Sequence, residues 1–261
     1  MKVDIITDIN PYVLDITKNE NMVALTNKNA DFIEAVVALD SNYKNDGNPK
    51  IVGSTAYWFQ EMNKKPYTYD KCLKKVIERI DKVNSTHLVS LEDGINEMYK
   101  IIKDCCSNVD ELKKAVCKNL SDTKYTNLLF YKLLVPIKII KKVSKANNIS
   151  FASKFISNAR YYLNGGDWSF SRYDKVVSEM LSYYEKIYVD SNTKISKSKY
   201  KNDSNSRKNK SEEDTMKITY ELYLKYMKTI DTILKKLKED NEIEINKNEF
   251  DHIIWYSSKG K

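Results

Sequence analysis

The sequence predicts an all-α protein. Apolar residues recur at three- and four-residue intervals in most segments after Asp31, the period of an amphipathic helix. No stretch sustains the alternation of a half-buried strand, and there is no repeat at a fixed period and no sustained heptad. Hydrophobic residues make up 41% of 261 positions, enough for a real core, while charged residues at 31% require a heavily solvated surface.

The elements follow in order. Residues 1–29 are the ambiguous part: Val3, Ile5 and Ile6 suit a short strand, and the rest reads as loop or poor helix. Phe32, Val36, Val37 and Leu39 share one face of a short helix that ends near the loop Asn45-Asp46-Gly47-Asn48-Pro49. Thr55 to Met62 is a helix with Tyr57, Trp58 and Phe59 as its bulk. Pro66 starts the next, in which Cys72, Leu73, Val76, Ile77 and Ile80 recur at helical spacing. Ser90, with Asp93 three residues on, has the form of a capping box before a helix carrying Ile95, Met98, Tyr99 and Ile102. Asp110 to Leu120 is a short helix. Leu128 to Val143 is the most apolar stretch and is expected to be the central buried helix, bent or split near Pro136.

A turn at Ala146-Asn147-Asn148 leads into a helix from about Phe151 to Leu163, which Gly165-Gly166 breaks, and another helix runs from about Tyr173 to Tyr188. Asp190 to Ser211 is rich in Ser, Asn and Lys, and so short of apolar residues that it reads as a flexible basic insertion. Glu213 to Lys238 is a long amphipathic helix on Met216, Tyr220, Tyr223, Met227, Ile230 and Leu234. Asn246 then caps a last helix, with Glu249 three residues on and Phe250, Ile253, Ile254 and Trp255 along it.

The formal net charge of +8 favours a polyanionic partner through counterion release. Cys72, Cys105, Cys106 and Cys117 form no CxxC pair and no metal or disulfide framework, so they are expected to be reduced thiols of a cytoplasmic protein. Met1 to Asn10 lacks the apolar run of a signal peptide, and no stretch approaches the ~20 apolar residues of a membrane span. With only His87 and His252, no phosphate loop and no GxGxxG, the chain is poorly equipped for metal hydrolysis, triad chemistry or dinucleotide binding. An enzyme built from this sequence works with lysine and carboxylate.

Asn147 to Leu181 reads NNISFASKFISNARYYLNGGDWSFSRYDKVVSEML. A polar turn precedes a helix whose first turn holds Ser150, Ser153 and Lys154. An aromatic loop with Trp168 and Phe170 follows the two glycines, and Tyr173-Asp174 opens the next helix. This arrangement resembles the helix-hairpin-helix superfamily of DNA glycosylases, including the 8-oxoguanine DNA glycosylases. Phe151-Ala152-Ser153-Lys154 stands at the family's lysine segment, and Phe170-Ser171-Arg172-Tyr173-Asp174 stands, twenty residues on, at its aspartate segment. The closing Phe250-Asp251-His252-Ile253-Ile254-Trp255 is similar to the C-terminal helix of bacterial proteins of that fold. The likeness covers about residues 125–261. It departs from the family where Ala146-Asn147-Asn148-Ile149-Ser150 replaces a glycine-rich hairpin, and where the basic insertion follows Tyr188.

The resemblance implies two helical subdomains around a cleft, 1–120 and 121–261, the second interrupted at 190–211. It implies a DNA glycosylase, with or without lyase activity, acting as a monomer without cofactor or metal on duplex DNA bearing a damaged base. Lys154 is then the amine that attacks C1′, and must be uncharged to do so, a state that an apolar pocket favours. Asp174 is the carboxylate that stabilises positive character on the sugar. Phe151, Trp168, Phe170, Tyr173 and Trp255 are implied walls for a flipped base. Asn147, Asn148, Ser150 and Ser153 are implied phosphate contacts at a helix start. The rival expectations are a non-catalytic DNA-binding protein on the same fold, in phage defence or mobile-element biology, and a helical interaction protein whose charge serves only solubility.

Overall fold

A computed structural model describes residues 13–17, 20–23, 45–84, 86–121, 124–139, 145–146, 148–202 and 210–259. These are mostly helical, in agreement with an all-α class. The expected strand at Val3–Ile6 and helix at Phe32–Leu39 lie outside the described residues. In chain order the elements are β1 (Val13–Thr17), β2 (Glu20–Val23), α1 (Thr55–Glu61), α2 (Tyr69–Asn84), α3 (Gly94–Cys105), α4 (Val109–Val116), α5 (Leu129–Lys132), β3 (Ile137–Lys138), β4 (Lys145–Ala146), α6 (Ile149–Leu163), α7 (Lys175–Tyr188), α8 (Glu212–Asn241) and α9 (Lys247–Lys259). The strands make two short antiparallel pairs, β1 with β2 and β3 with β4. No helix among the described residues is long and apolar enough to cross a membrane.

The chain divides into two compact units, each assembled from separated stretches. One comprises Lys44–Phe170 with α8 up to Leu224; the other comprises β1, β2, Ser171–Asn202 and everything from Lys225.

In the first unit, Ser54 caps α1 by accepting from the Tyr57 N–H at 3.0 Å. Asp46 binds the Thr55 N–H at 3.0 Å and the Arg79 guanidinium at 2.5 Å, tying the start of α1 to α2. α2 buries the expected face of Cys72, Leu73, Val76, Ile77 and Ile80. The capping box expected at Ser90 is not formed. Ser90 lies in a 3-10 turn, Leu88–Ser90, and Asp93 stands at the N-cap of α3 with a φ of +54° and no side-chain cap bond. The chain turns this tightly because Gly94 has no side chain: a Cβ there would stand 2.5 Å from the Leu88 carbonyl oxygen and 2.9 Å from the Leu91 Cβ. Gly94→Ala is therefore expected to cost about 1–3 kcal/mol, read as a lowered midpoint in urea unfolding.

Of the long central helix expected over Leu128–Val143, the described residues form a single turn, α5, followed by a tight turn and β3, and residues 140–143 lie outside the described residues. Pro136 lacks an N–H and biases Val135 towards extended backbone, which ends the helix early. The side chains remain core: Leu128, Leu129, Phe130, Tyr131, Leu133 and Leu134 are all buried. The central helix of this unit is α6, which packs against α1, α2, α4 and α5 and is buried at every residue from Phe151 to Ala159.

In the second unit α9 packs on α7 and β2, with Phe250 edge-on to Tyr184. Its capping box forms as expected: Asn246 Oδ1 accepts from the Glu249 N–H at 3.0 Å, and Glu249 Oε2 accepts from the Asn246 N–H at 2.7 Å. The insertion read as flexible is packed over residues 190–202; residues 203–209 lie outside the described residues. Its anchor is Tyr200, fully buried, whose hydroxyl is 2.7 Å from Glu185 Oε2 and 2.9 Å from Thr229 Oγ1. Lys199 pairs with the same Glu185 at 2.6 Å, and Ser196 exchanges two hydrogen bonds with Ser182. One large ring and a few satisfied polar groups thus supply the order that the segment's composition does not suggest. Tyr200→Phe is expected to cost about 1–2 kcal/mol and to speed tryptic cleavage at Lys194 and Lys197.

Candidate functional site

The residues singled out by the sequence fall into two groups by unit. Asn148, Ser150, Phe151, Ser153, Lys154, Trp168 and Phe170 belong to the first unit; Tyr173, Asp174 and Trp255 belong to the second. Asn147 lies outside the described residues.

The β3–β4 pair delivers the chain to α6. Asn148 precedes the helix and is buried, its Nδ2 donating to the Val135 carbonyl at 2.7 Å. It therefore braces the turn after α5 and does not present its amide at the surface. Ser153 is fully buried and donates to the Ser150 carbonyl at 3.1 Å, and Ser150 itself is half-buried. Of the expected phosphate contacts described, only Ser150 has a side chain near solvent.

Lys154 is inside the unit, 6% exposed, with Nζ donating to the carbonyl of Asn84 at 3.0 Å. Asn84 is the last residue of α2, so the amine meets the electronegative end of that helix. Phe151 and Phe155 flank it in sequence and stack on each other at 5.7 Å, with Phe59 at 6.2 Å from Phe155. Ser157 and Asn158, three and four residues on, share its side of the helix and are buried; Ser157 Oγ has no hydrogen-bond partner among the described residues. The segment just beyond Asn84 is fixed by Asp81, 4% exposed, which accepts from Thr86 Oγ1 at 2.5 Å and from the Leu88 N–H at 2.6 Å.

α6 ends in a loop that suits its glycines. Gly165 and Gly166 take φ values of +72° and +94°, where a side chain is strained. Arg160 then grips Asp167 through two nitrogens, at 2.8 and 2.7 Å. Burial works against the Asp167 carboxylate, but hydrogen bonds from Ser169 and Arg160 outweigh it and hold its pKa below the ordinary value. This clamp sets Trp168 flat on Tyr161, with centroids 4.0 Å apart and rings within 17° of parallel. Trp168 is half-buried. Phe170 is instead core, 5.4 Å from Phe130 and 5.3 Å from Tyr223, as Phe151 is core at 1% exposure.

No family model, curated protein or solved structure matches the chain.

In the second unit, Asp174 is the N-cap of α7, its Oδ1 accepting from the Val176 N–H at 2.7 Å while the residue stays half-buried. Tyr173 is buried; its hydroxyl donates to the Tyr200 carbonyl at 2.7 Å and accepts from the Asn202 N–H at 2.9 Å. Trp255 is half-buried on α9. Thiol chemistry has little to work with in the interior: burial pushes the Cys72 thiol up to about 11 and the Cys106 thiol up to about 12, leaving both protonated at neutral pH. Sequence reasoning missed Tyr161, the stacking partner of Trp168, although its place near the end of α6 was a usable signal. It also missed Asp81 and the Asn84 carbonyl, for which no sequence signal exists.

Proposed function

We propose that this chain is a DNA glycosylase that releases a damaged or modified base, with Lys154 as its amine nucleophile and Asp174 as the carboxylate that favours positive character on the sugar. The observation that carries the reading is a lysine 6% exposed on the central helix of its unit. Lysines are rarely this buried, because the long side chain loses both hydration and rotamer freedom, and a buried amine on a central helix is a functional-site candidate. The sequence context adds to it: a polar turn before the helix, the lysine in its first half, and an aspartate capping the next helix. The net charge of +8 suits a phosphate-rich substrate.

In the proposed step, the C1′–N bond breaks and its electron pair leaves with the base, which takes up a proton. The neutral Nζ gives its lone pair to C1′ and loses a proton. The C1′–O4′ bond then breaks as the nitrogen lone pair forms C1′=N, O4′ keeps the bonding pair and takes up a proton, and borohydride reduces the resulting iminium to a stable amine. Nζ must first release the Asn84 carbonyl, 3.0 Å away. The test is to incubate the chain with duplexes bearing candidate lesions and to assay free base and, after borohydride, a covalent adduct. Base release that falls in Asp174→Asn supports the reading. Neither product with any lesion contradicts it.

One observation favours a second reading, a non-catalytic DNA-binding protein. The bond from Lys154 to the end of α2 is a structural contact that requires no chemistry. That reading expects salt-sensitive DNA binding that survives Lys154→Gln and Asp174→Asn together.

A further inference from the structure

Three aromatic rings with no part in the proposed chemistry stand together where α1 turns into α2. Tyr57, Trp58 and Tyr67 have centroids 5.1, 5.5 and 6.3 Å apart and meet edge to face, at 76°, 81° and 79°. All three are half-buried, and the Tyr57 and Tyr67 hydroxyls are 3.3 Å apart. Edge-to-face contact engages the rim of one ring with the face of another, and because each ring is half-buried, part of its surface meets solvent.

The charge around them is unbalanced in one direction. The nearby carboxylates are already matched: Glu61 to Lys64 at 3.1 Å, Asp70 to Lys103 at 2.5 Å, Glu78 to Lys75 at 2.7 Å and Asp46 to Arg79 at 2.5 Å. Lys65, Lys71, Lys74 and Lys82 are exposed and have no carboxylate partner among the described residues. Lys71 lies over the Tyr67 ring at 5.0 Å, joining the cation row to the aromatic group. Lys71 and Lys82, eleven residues apart on α2, are the unmatched ends of a stripe about 16 Å long whose middle lysine, Lys75, is matched to Glu78.

A cationic ligand is excluded by these lysines and by rings packed too closely on one another to form a cage. A plain apolar partner leaves the ammonium groups without counter-charge. A polyanion with flat, exposed faces satisfies both halves of the surface, and base faces are exposed only in a single strand. We propose that the α1–α2 corner binds single-stranded DNA, with bases on Tyr57, Trp58 and Tyr67 and phosphates along Lys65, Lys71 and the α2 stripe. The choice of DNA over RNA rests on the glycosylase reading; the surface itself does not involve Lys154.

The test is fluorescence anisotropy of a labelled oligo-dT of about 20 nucleotides with the full chain. Trp58→Ala is expected to weaken binding about 10-fold. The double variant Lys65→Gln, Lys71→Gln alters only exposed side chains. It is expected to make the slope of log affinity against log salt shallower by about 1.4. Both variants are expected to keep the wild-type yield of trapped adduct on lesion duplexes. Unchanged affinity and salt slope in the lysine variant, or tighter binding of oligo-rU than oligo-dT, overturns the proposal. A wild-type chain that binds oligo-dT through these residues and traps no adduct supports this surface and removes the glycosylase reading alone.

Discussion

Lys154→Gln is expected to abolish the borohydride-trapped adduct and to lower base release by on the order of 10³-fold. The size of the effect follows from the proposed role: without the amine no bond to C1′ can form, and only positioning and electrostatic assistance remain. The residue also has a structural bond, from Nζ to the Asn84 carbonyl at 3.0 Å, so a second variant is needed to separate the two roles. Glutamine keeps an N–H donor for that carbonyl. Lys154→Met does not, and is expected to destabilise the chain by about 1–3 kcal/mol relative to Lys154→Gln in urea unfolding. A catalytic lysine loses its adduct equally in both variants, whereas their stabilities differ. If Lys154 is structural only, the stabilities still differ, and any adduct that the wild type traps is also trapped by Lys154→Gln.

Phe155→Ala is expected to have the largest effect on stability, about 3–5 kcal/mol. Phe155 is fully buried on α6 and lies within ring contact of Phe59 on α1 and Phe151 one turn back. Truncation removes the ring's transfer free energy and leaves a void between helices that relax only in part. The measurement is the shift in denaturant midpoint at constant slope. A loss under about 1 kcal/mol contradicts the placement of α6 at the centre of its unit.

The helical class, the buried face of α2 and the Asn246–Glu249 box were legible because each depends on residues within one or two turns of one another. Asp174 was legible for the same reason, since an N-cap serves the helix that follows it. The Leu128–Val143 stretch shows the limit of hydrophobicity as a guide: it is buried as expected over its first half, but Pro136 decides the backbone. α6 shows the converse. Ser153, Lys154, Ser157 and Asn158 give it a mixed appearance, yet all four are buried.

On α8 Tyr220, Tyr223 and Ile230 of the expected face are buried, together with Thr219, Tyr226, Ile233 and Leu237, whereas Met216, Met227 and Leu234 are half-exposed. Thr219 and Tyr226 were hard to place in the core because each carries a hydroxyl. Thr219 satisfies its own by donating to the Thr215 carbonyl, and Tyr226 donates to the Arg172 carbonyl, both at 2.8 Å. Lys154 was legible as a lysine of interest, but not its partner, because Asn84 is seventy residues away and contributes only a backbone carbonyl. The same holds for the two units, whose members come from separated parts of the chain.

The central claim is that one particular amine forms a bond to sugar carbon. Peptide mapping of the borohydride-trapped complex by mass spectrometry tests it most directly. The claim predicts that the added mass lies on the peptide containing Lys154 and on that lysine within it. An adduct carried by another lysine or by the N-terminal amine, with Lys154 unmodified, contradicts it.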